Sequence, residues 1–455
     1  METFDLIVIG GGPAGYLAGE RAGAAGLKTA VIEKRALGGV CLNEGCIPSK
    51  ALLNSAKIYE YALHGDKYGV TTTGAAIDHA KVIDRKNRVV KKLVAGVQAQ
   101  MKHHHVTVIM GEAKIQGKTA DGIQIVENNE MYLAKKLLIA AGSVPVVPPI
   151  PGVKEGLESG FVLTNREILD LKEQPKELIV IGGGVIGLEM ASYFNSIGTK
   201  VTVVEMLGKI AGPTDNEISK ILMDNYAKKG VQFKLNCRVT AVGANTVTFE
   251  ENGVPVTIEA DKVLLSIGRR AASENLGLET IGVELNRGAI VTDEHLRTNV
   301  AGVYASGDIN GKSMLAHTAY RETEVAVNHM LGKKDRMRYS AIPSVIYTNP
   351  EVASVGETEE TAKAKGMDVK TVTLPMSYAG RYVAEVERGD GICKLVVDNK
   401  YNRLVGVHLI GSYASEIIYG AALMIETELR IDDLKELVFP HPTVSEIIRE
   451  ALFLV

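Results

Sequence analysis

Residues 6–33 read LIVIGGGPAGYLAGERAGAAGLKTAVIE. An aliphatic run at 6–9 enters a cluster of glycines, a small-residue stretch follows, and a second aliphatic run ends in Glu33. An unbroken aliphatic run closed by glycine is the pattern of a parallel strand buried on both faces. The stretch therefore predicts a strand, a tight turn, a helix and a second strand. Residues 178–205, LIVIGGGVIGLEMASYFNSIGTKVTVVE, repeat it without a gap at an offset of 172, with 12 identities in 28 positions. The chain contains two βαβ units.

Each unit carries a glycine signature between its strand and its helix: Gly10-x-Gly12-x-x-Gly15 and Gly182-x-Gly184-x-x-Gly187. Such glycines allow a tight turn, a close backbone approach to a pyrophosphate and close helix packing, and the helix N-terminus favours the phosphate charge. Glu33 and Glu205 each lie 23 residues beyond the first glycine of their motif, near the ~20 expected of a carboxylate that binds a ribose 2′-hydroxyl. The fold class is α/β, with two Rossmann-like dinucleotide-binding domains. Two such sites in one chain point to electrons passing between two cofactors. Met206 follows Glu205 with no arginine to hold a 2′-phosphate, which favours NAD over NADP.

The chain has 455 residues, and roughly 150 per domain gives about three domains. The predicted divisions are 1–145 for the first unit, 146–268 for the second, 269–336 for a central segment, and 337–455 for a C-terminal α+β domain. A proline cluster at Pro145, Pro148, Pro149 and Pro151 reads as the linker between the first two. A helix-rich stretch is expected at about 48–100, and C-terminal helices at about 414–426 and 444–452. With 51 Lys+Arg against 54 Asp+Glu, there is no basic excess of the kind nucleic-acid binders carry. The longest apolar-plus-glycine run, 178–188, spans 11 residues, short of the ~18 of a membrane span. Glu2 and Asp5 stand where a secretory signal would be positive, so a cytoplasmic chain, or a matured form from an organelle matrix, is expected.

Four cysteines in a chain of this length are too few for a disulfide framework. Cys41 and Cys46, in GGVCLNEGCIPSK (38–50), are spaced as a redox pair, with Cys46 just ahead of Pro48 and a helix-compatible run from Ser49. A helix N-terminus favours a thiolate. Zinc would want further Cys or His ligands at short spacing, and no metal site is expected, at His103–His105 or elsewhere. Cys237 and Cys393 read as small buried hydrophobes. Near the C-terminus, His441 and Glu446 in HPTVSE form a base and its orienting carboxylate, the natural group to move thiol protons.

Over essentially the whole chain these motifs resemble the flavin-dependent pyridine nucleotide-disulfide oxidoreductases. GGVCLNEGCIPSK matches the family's redox disulfide, TNVAGVYASGD (298–308) its second flavin motif, and HPTVSE (441–446) its C-terminal motif. The resemblance implies that 1–145 binds FAD, 146–268 binds NAD, 269–336 completes the FAD site and 337–455 forms a dimer interface. It implies that Lys50 and Glu189 lie near the flavin and nicotinamide rings and that Asp308 and Ala316 contact FAD. Lys34, Ala113, Gly142, Val239 and Gly268 are its further cofactor contacts. It implies a homodimer in which His441 and Glu446 serve the partner chain's disulfide. The implied reaction is oxidation of a protein-bound dihydrolipoyl group by NAD: His441 takes a proton, the substrate thiolate attacks Cys41, and Cys46 leaves as a thiolate. The implied partners are lipoyl-bearing proteins and the acyltransferase core of a 2-oxo acid dehydrogenase or glycine cleavage complex. Sister reductases for glutathione or mercury are the alternatives in this family. The tail EIIREALFLV lacks the extra cysteine pair of the mercury enzymes, and Glu205 opposes the NADP preference of the glutathione enzymes. A non-catalytic redox-sensing or assembly protein is the remaining reading.

Overall fold

The computed structural model describes all 455 residues. Three sheets organise it. The first is built on the parallel strands Thr107–Met110, Thr29–Glu33, Glu2–Ile9 and Glu130–Ile139, in that order. Residues 6–9 at its centre are buried on both faces, as their unbroken aliphatic run requires. The hairpin Lys114–Lys118 and Ile123–Glu127 pairs antiparallel with the first half of Glu130–Ile139. Val303–Ala305 pairs parallel with the second half, so a segment from far along the chain completes the first sheet.

The second sheet repeats the pattern with five parallel strands: Gln232–Lys234, Lys200–Val204, Glu177–Ile181, Lys262–Leu265 and Val162–Leu163. A three-stranded antiparallel sheet, Arg238–Val242, Thr246–Glu251 and Val254–Glu259, is inserted before Lys262–Leu265. Short strands leaving the two parallel sheets, Ser143–Pro145 and Arg269–Ala271, pair with each other and tie the units together. The third sheet, five antiparallel strands between Ser344 and Gly411, packs against helices Ala414–Glu426 and Glu446–Phe453. No helix is long and apolar enough to cross a membrane.

The repeated glycines do different work along each motif. Gly10 and Gly182 both have φ +102°, and a Cβ on either would sit within 2.6 Å of a carbonyl oxygen in the neighbouring strand's exit. A Cβ on Gly15 would come to 1.7 Å from Gly10 O, and one on Gly187 to 2.3 Å from Gly182 O. The third glycine is therefore what lets helices Pro13–Ala24 and Val185–Ser196 close onto their strands.

Two local outcomes differ from the sequence reading. The helix expected from Ser49 begins at Cys46; Pro48 fits inside its first turn, because the first N–H groups of a helix have no partner within it. The helix-rich stretch is two helices, Cys46–Leu63 and His79–His103, separated by residues that include Gly69 and Gly74.

Candidate active site

One cavity of about 1540 Å3 runs from the first glycine motif to the second. Both halves are built the same way. Glu33 Oε2 accepts the Gly11 N–H at 2.7 Å, and its Oε1 accepts the Arg35 N–H at 2.7 Å. Glu205 Oε2 accepts the Gly183 N–H at 2.6 Å, and its Oε1 accepts the Leu207 N–H at 2.7 Å. Each carboxylate thus closes its glycine loop and keeps lone pairs to spare at the end of its strand. Neither helix start has a side-chain cap. A Cβ on Gly184 would meet nothing within 4 Å, and one on Gly12 only the Cα of Gly39 at 3.7 Å. Bare N–H groups facing open space at the start of a helix fit a pyrophosphate, so both half-sites suit a dinucleotide.

Of the expected cofactor contacts, Gly10, Gly12, Glu33, Lys34 and Lys50 line this cavity, as do Ala113, Gly142, Asp308 and Ala316. Gly182, Gly184, Glu189, Glu205, Val239 and Gly268 line its other end. Gly15 and Gly187 lie beneath it, packed against their own strands.

Cys41 and Cys46 stand in the wall between the halves. Both are free thiols. Cys41 is carried on the short helix Gly39–Glu44 and Cys46 is the first residue of Cys46–Leu63. The two thiols are driven apart in acidity. The neighbouring Cys41 thiol lowers the pKa of Cys46, Lys50 lowers it further, and burial opposes both. Proximity to Cys46 and burial push Cys41 up. The helix N-terminus adds its own preference for charge at Cys46, so Cys46 is the more acidic of the pair. Lys50 Nζ lies 2.9 and 2.8 Å from the two oxygens of Glu189, a buried carboxylate, and 4.3 Å from the centre of the Tyr347 ring. Glu189 also accepts the Tyr347 N–H at 3.1 Å. One ion pair therefore joins the cysteine-bearing helix, the second unit and the C-terminal domain.

Asp308 is half-buried, its pKa raised by desolvation, and it accepts the Ser143 hydroxyl at 2.5 Å. The neighbouring Gly307 N–H donates to the buried Glu322 at 2.6 Å. His441 and Glu446 lie elsewhere. Their side chains meet at 3.0 Å, the imidazole is 78% exposed, and neither lines the cavity. The Thr443 N–H and His441 together hold Glu446 below the usual carboxylate range. Cys237 and Cys393 are buried.

Tyr347, Ser143, Asn165, Arg269 and Glu322 belong to no motif in the sequence reading. Only Arg269 had a signal, its place beside Gly268 at the end of the run VLLSIGRR.

A family model described as pyridine nucleotide-disulphide oxidoreductase matches residues 4–323, and one described as the dimerisation domain of the same oxidoreductases matches 342–452. A dihydrolipoyl dehydrogenase of Chlamydia muridarum is 40% identical, covering 100% of this chain and 97% of its own. One from Bacillus subtilis is 39% identical over 98% of this chain and 97% of its own. Among solved structures, LpdA from Mycobacterium tuberculosis aligns with a TM-score of 0.90 at 26% identity, over 100% of this chain and 99% of its own. The HOCl-induced flavoprotein disulfide reductase RclA from Escherichia coli aligns at 0.87 and 29%, over 99% of this chain and 100% of its own.

Proposed function

The chain belongs to the pyridine nucleotide-disulphide oxidoreductase family, and from the thiol pair it sets between two dinucleotide half-sites we infer that it is a dihydrolipoyl dehydrogenase. It oxidises protein-bound dihydrolipoyl groups to lipoyl, using FAD and NAD. The observation that carries this reading is the Cys41/Cys46 pair, with unequal acidities, in the wall of the cavity that both half-sites share.

In the oxidised protein the two cysteines form a disulfide. His441 takes a proton from one substrate thiol, and the resulting thiolate attacks Cys41. That forms a mixed disulfide and releases Cys46 as a thiolate, the better leaving group because Lys50 and the helix start hold its charge. The second substrate sulfur, deprotonated in turn, attacks the substrate sulfur of the mixed disulfide. That attack expels Cys41, which takes up the second substrate proton, so lipoyl leaves and the pair is left reduced, with the first proton on His441 and Cys46 as the thiolate. Bound FAD supplies the acceptor for that electron pair and NAD its onward carrier, chemistry that belongs to the cofactors. The chain's share is to hold Cys46 beside the Lys50–Glu189 ion pair in the wall of the cavity, and to move protons at His441.

His441 serves the disulfide of a second copy of the chain. The reading is supported by the exposed imidazole, by the dimerisation-domain match over 342–452, and by large apolar side chains left bare on that domain, Tyr419 at 73% and Val438 at 96% exposure. A closed two-fold dimer builds both sites alike. Lipoyl-bearing proteins and an acyltransferase core are the partners of this reading, in the cytoplasm or an organelle matrix. The test is direct: the purified yellow flavoprotein should reduce lipoamide with NADH. A protein that reduces its flavin with NADH but leaves lipoamide untouched would overturn the assignment.

A further inference from the structure

The backbone between the two cysteines turns at Gly45, from helix Gly39–Glu44 into helix Cys46–Leu63. The last carbonyls of a helix find no partner inside it. The Glu44 carbonyl takes its bond from Asn165 Nδ2 at 2.7 Å, a residue of the second unit. The Asn165 amide oxygen accepts in turn from Arg269 Nη1 at 3.0 Å. Both ends of this buried amide are in use, which fixes its orientation. Arg269 then grips Ser143 twice, its Nε donating to Oγ and its Nη2 to the carbonyl, each at 2.8 Å. The Ser143 hydroxyl donates onward to Asp308 Oδ2. The antiparallel pairing of Ser143–Pro145 with Arg269–Ala271, Ser143 opposite Ala271 and Arg269 opposite Pro145, holds the two segments side by side. On its outer side the Glu44 carboxylate is held by Arg35 at 2.7 Å and Arg166 at 3.0 Å.

We propose that Asn165 and Arg269 are positioning residues of the redox loop, locking the backbone between Cys41 and Cys46 to the flavin-site carboxylate Asp308 so that the pair keeps its geometry as the disulfide opens and closes. The proposal rests on the reading of this pair as the redox centre. A disulfide forms only within a narrow range of Cβ and Sγ positions, and a two-helix elbow hinged at a glycine does not secure that range by itself. A guanidinium is costly to bury unless its donors are used. Burial lowers the pKa of Arg269, and the nearby carboxylates Asp308 and Glu44 oppose that shift. The planar fork of Arg269 is also a directional clamp that an ammonium would not reproduce. Through Asn165 the second dinucleotide unit, and through Arg269 the segment that follows it, steady thiol chemistry carried on the first unit.

Asn165→Asp tests the tether with little change of volume. It turns the donor that meets the Glu44 carbonyl into an acceptor and leaves an acceptor for Arg269. Arg269→Lys keeps the charge and loses the fork. In the FAD-loaded dimer, both variants should lose tenfold or more in lipoamide turnover. Both should also weaken the long-wavelength band that a Cys46 thiolate gives beside oxidised flavin. Oxidation of NADH by ferricyanide, which draws electrons from the flavin and bypasses the thiols, should stay within about twofold for Asn165→Asp. If lipoamide and ferricyanide turnover fall together, the residues support flavin binding or the fold, and the proposal is overturned. Unchanged lipoamide turnover with an unchanged band overturns it as well. A wild-type holoenzyme lacking both the band and lipoamide turnover would instead defeat the reading of the cysteine pair itself.

Discussion

Replacing Glu205 by glutamine probes the choice between NAD and NADP. Glu205 is half-buried at the end of Lys200–Val204, and its two oxygens already accept N–H groups from Gly183 and Leu207. Those bonds fix the carboxylate where a ribose would reach its free lone pairs. A ribose 2′-hydroxyl can donate to it, whereas a 2′-phosphate cannot donate and brings charge of the same sign. Two unit charges about 4 Å apart repel by about 1 kcal/mol in bulk water and about 4 kcal/mol at an effective dielectric near 20. Partial exposure puts Glu205 between these limits. The lost hydrogen bond to a charged acceptor adds about 1.5–3 kcal/mol. Two cations line this end of the cavity near Glu205, and both are engaged. Lys209 is bound to Thr214 O at 2.7 Å and Asn216 Oδ1 at 2.8 Å, and Arg238 to Glu250 at 2.9 Å. With no free cation to offset the repulsion, NADH should be preferred over NADPH in kcat/KM by about a hundredfold or more, at about 1.4 kcal/mol per tenfold. Glu205→Gln removes the charge and keeps one acceptor. The preference should then narrow by at least tenfold, through a gain with NADPH and a modest loss with NADH. Steady-state lipoamide reduction with each nucleotide measures both ratios. Equal efficiencies in the wild type, or a ratio that Glu205→Gln leaves unchanged, would refute the reasoning.

Two-electron reduction should give a long-wavelength band that Cys46→Ser abolishes and Cys41→Ser retains; loss with Cys41→Ser alone would exchange the roles of the two thiols. Because the pKa of Cys46 is lowered in the folded protein, its thiolate persists above that pKa and the band fades as pH falls through it. Lys50→Met removes a cation that favours the thiolate and unmasks the Glu189 charge that opposes it, so the band should titrate at higher pH than in the wild type. A midpoint that stays put or moves down would discard this role for Lys50. Cys46→Ser and His441→Ala homodimers should each be nearly inactive in lipoamide turnover. A purified heterodimer of the two should recover about half the wild-type activity per dimer, since one of its sites joins an intact disulfide to an intact histidine; an inactive heterodimer with FAD bound would rule out a site shared between chains.

The parts of this protein legible in its sequence are those whose chemistry is local. A buried parallel strand, a glycine turn and a terminal carboxylate occupy 28 consecutive positions, so the repeat displays two half-sites without any knowledge of how they meet. Cys41 and Cys46 share a single elbow, and His441 and Glu446 a single turn. What escaped was made by strands too exposed to show a pattern, or by contacts between distant segments. Val254–Glu259 has no fully buried residue and so imposes little on its sequence. The start of the cysteine-bearing helix was displaced because Pro48 reads as a boundary, although a first-turn proline costs a helix nothing. The tether of the redox loop is the extreme case. Glu44, Ser143, Asn165, Arg269 and Asp308 come from five segments that only the pairing of two short strands and the closing of two sheets bring together. Glu44 and Asp308 sit inside motifs and Arg269 beside one, but nothing in their spacing links them to each other, yet each fills a donor or acceptor that another leaves open. Chemistry that depends on the identity of one reactive atom leaves a motif behind, whereas the restraint that holds that atom in place can be drawn from any part of the chain the fold delivers.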